Sequence, residues 1–199
     1  MSDKVSPEQN LPLRQYLRRM LPSRAEALYL WDQASQNALW QYVFSVDATR
    51  PASLTLYRYN PHPSATFFPN LLHHCYESSI QDLCPRRLAV IYMIIAVGCQ
   101  VDTNRPVDTP DPEKYHQCAR ASLCEIPVME EVTVATILAL FYEIWYLLVF
   151  SDKKKAAGYA WGLMGLTAKL AQSVSYFRHS NCHMTLDLML DSSRIDWSS

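Results

Sequence analysis

Apolar positions recur at helical spacing along most of the chain, and proline-rich stretches separate the runs. Leu28, Trp31, Ala38, Leu39 and Tyr42 form one stripe of a helix expected over Arg24–Phe44, with Asp32, Gln36 and Gln41 on its other faces. Its start is marked by Ser23 and Glu26, the spacing of a reciprocal capping box. A short helix is expected over Phe68–Cys75, and another begins at Pro85, whose fixed φ suits a first helical turn. Leu88–Cys99 has no polar face, so its helix must be covered on several sides and belongs at the centre of a bundle. Asp111 is expected to cap, and Pro112 to open, a helix with Tyr115, Cys118, Ala119 and Leu123 on one face.

The second half of the pattern is more apolar. Thr133–Phe150 is nearly unbroken hydrophobic sequence, and Ala156–Val174 returns to helical period through Ala160, Leu163, Met164, Thr167, Leu170, Ala171 and Val174. Gly158, Gly162 and Gly165 are expected to admit a neighbouring helix closely, so the two segments should pair as a helical hairpin. Asp47–Pro69 and Asp102–Pro112 read as loops, because proline removes donors and blocks helix continuation. Ser53–Tyr59 is the one alternating stretch, and it is short and followed by prolines, so no strand is expected. The fold class is therefore all-α, an irregular multi-helix bundle. Periodicity stops after Val174 without a cap. The chain divides into a polar, disordered N-terminus (1–10), a helical domain (11–174) and a tail (175–199) that is not built to fold.

Composition narrows the function. The 199 residues suit one domain, at about 100 to 200 residues each, and 49% hydrophobic against 19% charged residues supplies a packed core. A formal net charge of -1 lacks the basic field of a self-sufficient nucleic-acid binder. The 4 glycines form neither a dinucleotide nor a phosphate cradle. None of the 6 cysteines stands in a Cys-x-x-Cys pair, so no zinc finger is encoded. Met1–Asn10 has no apolar signal-peptide core, which points to a reducing compartment and free thiols.

Residues with metal or catalytic chemistry do occur, in patterns that do not converge. His73-His74-Cys75 with Cys84 offers metal-ligand types, but adjacent helical residues point apart. His116 and Cys118 are two apart on a helix, so Cys118 reads as a core cysteine and not a nucleophile. Asp102, Asp108, Asp111 and Glu113 lack the spacing and glycine of a calcium loop, and read as solvent contacts and a helix cap. No catalytic, cofactor-binding, metal-binding or DNA-binding residue is assigned, and no enzyme activity or cofactor is expected. The alternative is a membrane-associated or scaffold protein with a span at 132–150. Val132–Phe150 carries one charge, Glu143, and Lys153-Lys154-Lys155 follows. Glu143 beside Tyr142, Trp145 and Tyr146 is easier to place in a protein interface than in lipid, so no membrane is expected.

Four stretches occur in an order that resembles the fungal-specific transcription factor domain of the xylanolytic activator type. They are Leu21-Pro22-Ser23-Arg24-Ala25-Glu26-Ala27-Leu28, the helix ending Val97-Gly98-Cys99, Tyr115-His116-Gln117-Cys118-Ala119-Arg120, and Ala160-Trp161-Gly162-Leu163-Met164-Gly165-Leu166-Thr167-Ala168-Lys169-Leu170-Ala171-Gln172. The last is the most specific, and the resemblance spans about Leu11–Gln172. It implies a helical regulatory region of a nuclear zinc-cluster transcription factor, with partners in the transcription machinery or an effector. DNA contact and zinc would belong to a separate cluster, and no cysteine precedes Cys75 here. The family's Gly-Leu-His-Arg-Asp continuation is replaced by Ser175-Tyr176-Phe177-Arg178, so the bundle is expected to be incomplete at its C-terminus. Val174-Ser175 can be written GTAAGT, a common start of a spliced intron, so residues from Val174 onward are expected to be translated intron.

Overall fold

The computed structural model describes residues 10–38, 67–106, 109–130, 132–151 and 156–192, with side chains of the last segment described to 174. These residues form seven helices and no strand: α1 (Leu11–Arg19), α2 (Arg24–Asn37), α3 (Phe67–Glu77), α4 (Pro85–Val101), α5 (Asp111–Cys124), α6 (Val134–Phe150) and α7 (Ala156–Ser192). The all-α expectation holds. The sequence-expected extension of α2 to Phe44, the proline loop through residue 66 and Ser53–Tyr59 lie outside the described residues.

α4 is the centre. α2, α3, α5 and α6 all pack on it, and every residue from Leu88 to Val97 is fully buried. A helix without a polar face gains most when covered all round, since each fully buried aliphatic side chain contributes about 1.5–3 kcal/mol. Trp31 and Phe68 stack 4.4 Å apart and join α2 to α3. On α2 the buried stripe is Ala27, Leu30 and Ala34, whereas Leu28 is exposed. Of the expected stripe Ala38 is buried and Trp31 packs on the core, and α2 presents the small Ala27 and Ala34 beside Leu30 to α4 so that the backbones can approach.

That approach corrects the expectation about glycines. Close packing occurs at Gly98 of α4, where an added Cβ would meet the backbone and Cβ of Leu30. Gly158, Gly162 and Gly165 have nothing within 4 Å of an added Cβ. The α6–α7 hairpin does form, through Ile144 and Leu147 against Ala156, Ala160 and Leu163, so alanine and not glycine sets its spacing.

Helix ends explain further differences. Ser23 caps α2 by accepting from the Glu26 amide at 3.2 Å, but the Glu26 carboxylate turns to Arg105 at 2.7 Å instead of completing the box. A reciprocal box forms at α6, between Thr133 and Thr136. Asp111 does not cap α5: Pro110 occupies that position, and Asp111 sits in the first turn, where its charge suits the helix dipole. α1, which the sequence reading did not expect, has Arg14 and Leu17 buried. Arginines close two C-termini: Arg18 donates to the Tyr76 and Ser78 carbonyls at the end of α3, and Arg86 donates to those of Leu123, Ile126 and Pro127 at the end of α5. Past Val174 the backbone continues helical to Ser192, because no glycine or proline occurs between residues 175 and 192 to interrupt it.

Candidate functional site

Glu143 is the one charge in the apolar run of α6, and such a group is tolerated in a core only with a partner. The partner is His116 on α5. Its Nε2 lies 2.7 Å from Glu143 Oε2, with the two residues 4% and 2% exposed. The Tyr146 ring stacks on the imidazole at 4.1 Å between centroids. Glu113 Oε2 lies 3.6 Å from His116 Nδ1, and Arg120 Nε lies 3.6 Å from Glu143 Oε1. These outer contacts are too long to be hydrogen bonds, and His116 Nδ1 and Glu143 Oε1 have no hydrogen-bond partner. Burial, followed by the charges of Glu113, Cys99 and Glu143, pushes the Tyr146 phenol well above its ordinary range. Arg120 continues outward to lie 5.9 Å from the Tyr159 ring centre, linking this cluster to α7.

The cluster combines an acid, a base and a phenol, but its two central groups are enclosed by helices. Its chemistry in this conformation is the pairing of α5 with α6. The periodic pattern missed it, although a lone carboxylate in an apolar helix was itself the signal for a buried partner, and His116 and Arg120 are spaced i, i+4 on α5 to supply one.

The residues weighed for metal or catalysis fall elsewhere. His73 pairs with Glu77 on the surface at 2.8 Å. His74 points between α3 and α4, where Nε2 accepts from the Cys84 amide at 3.0 Å and Nδ1 meets Ser78 Oγ at 3.1 Å. Accepting at Nε2 requires the neutral ring. Burial and the nearby Arg87 charge hold His74 below its ordinary pKa. Cys75 is fully buried and its thiol is pushed up to about 12. The thiol of Cys118, also buried, is raised by burial as well. Among the described residues no group of three or more His, Cys, Asp or Glu side chains is placed to hold a metal.

Asp102 and Asp111 are not free solvent contacts: they converge on Arg105, at 3.2 Å each, together with Glu26. Asp102 also accepts from Tyr29 Oη at 2.9 Å and the Asn104 amide at 3.0 Å. Burial raises its pKa, but those donors and Arg105 outweigh it and hold the carboxyl low. Glu113 belongs to the His116 cluster, and Asp108 lies outside the described residues.

Several large apolar side chains are exposed among the described residues, Leu148 and Val149 of α6 and those on the outer face of α7 among them. Trp161 is 71% exposed, Met164 is exposed on the same side, and Gly158, Gly162 and Gly165 carry no side chain there. Lys169 is the one charge between Ala156 and Val174. Among the described residues no helix is long and apolar enough to cross a membrane. No protein-family model matches the chain, and no curated protein and no solved structure matches it.

Proposed function

We propose that the chain is the regulatory, non-DNA-contacting domain of a fungal zinc-cluster transcription factor. In this reading it is non-enzymatic and acts in the nucleus through proteins of the transcription machinery or an effector. The observation that carries the reading is the position of Trp161–Gln172. The most specific part of the sequence resemblance lies on α7, and that helix exposes an aromatic and small-residue face outside the bundle. An exposed large aromatic on an almost uncharged helix face suits a protein contact. The His116–Glu143 pair fixes α6, and α6 carries α7, so the buried cluster supports the surface without taking part in chemistry. Zinc and DNA contact belong to a paired-cysteine cluster, which these 199 residues do not contain.

Transcript sequencing across both ends of this coding region tests the proposal. The expected result is a paired-cysteine cluster in frame upstream and a splice junction at Val174. A complete transcript without an upstream cluster overturns it. As a biochemical check, the purified chain is expected to show no nanomolar affinity for a single DNA site at physiological salt, the range typical of specific binders.

A further inference from the structure

We draw no further inference here: the strongest candidate, the uncovered outer face of α7 around Gly158, Trp161, Gly162 and Gly165, already carries the proposed function, and nothing in the structure shows what covers it.

Discussion

Gly98 on α4 and Leu30 on α2 are in backbone-to-backbone contact. A Cβ placed on Gly98 would lie 2.8 Å from the Leu30 carbonyl carbon, closer still to its oxygen, and 3.0 Å from its Cβ. Two of these three atoms are main chain, so no rotamer change relieves the clash. Gly98→Ala is expected to force α2 away from α4 and to cost about 3 kcal/mol or more, the upper end of overpacking effects. Chemical denaturation checks this, and a midpoint equal to wild type would show that the helices separate freely. Gly158→Ala and Gly165→Ala are the counterpart. Both sites are open, so alanine should stabilise by about 0.5–1 kcal/mol through helix propensity alone.

Removing one member of the buried pair should cost more than removing both. Glu143→Leu leaves His116 enclosed without its carboxylate, and breaking a buried pair in this way costs about 3–5 kcal/mol. The double variant His116→Leu with Glu143→Leu is expected to recover most of that loss, because two apolar side chains need no partner. A double-mutant cycle in urea reads the coupling. Additive single and double effects would mean that the two side chains do not depend on each other.

Arg86 is enclosed and donates to one carbonyl in the last turn of α5, that of Leu123, and to two beyond its end, those of Ile126 and Pro127. Arg86→Met keeps much of the stem but orphans those acceptors. A loss of about 2 kcal/mol or more is expected, since a hydrogen bond from a charged group is worth about 1.5–3 kcal/mol. Arg86→Lys should recover only part, because one ammonium cannot reproduce the planar fork. Amide exchange at residues 123–127 locates the effect, and a global change without local deprotection there would argue against capping.

Acid should weaken the fold in two stages. His74 is held below its ordinary value of 6.5, chiefly by burial, so the unfolded chain binds its proton more readily. Its contribution is complete above 6.5 and is lost as pH falls through the lower folded value. Asp102 is also held below its ordinary value, here 3.8, so its contribution is present above 3.8 and is lost only in stronger acid. His74→Gln keeps an acceptor near the Cys84 amide without a titrating ring. It should remove the first stage and leave the second. Thermal melts from pH 7 down to about pH 2 separate them, and an unchanged profile in His74→Gln would assign the first stage to another group.

Much of the fold was legible because burial leaves a local trace. The all-apolar run Leu88–Cys99 announced a helix covered on every side, and α4 is that helix. Ser23 announced the start of α2. Pro85 likewise stands in the opening turn of α4. The candidate site was legible only as a question. Glu143 stood out as a charge in an apolar run, but its partner is 27 residues away on another helix, and no local spacing encodes that distance.

What the sequence determined by itself was the succession of helices from α2 to α7, without α1, and the centrality of α4, since helix period and uninterrupted hydrophobicity are properties of neighbouring residues. The tertiary structure decided which polar groups meet. It turned Glu26 from a cap into a partner of Arg105, gathered Asp102 and Asp111 on the same guanidinium, and paired His116 with Glu143. It also decided which glycine matters, Gly98 over the three of α7. Pairing and close approach depend on the angle and rotation at which helices cross, and the packing of several helices around α4 sets that geometry.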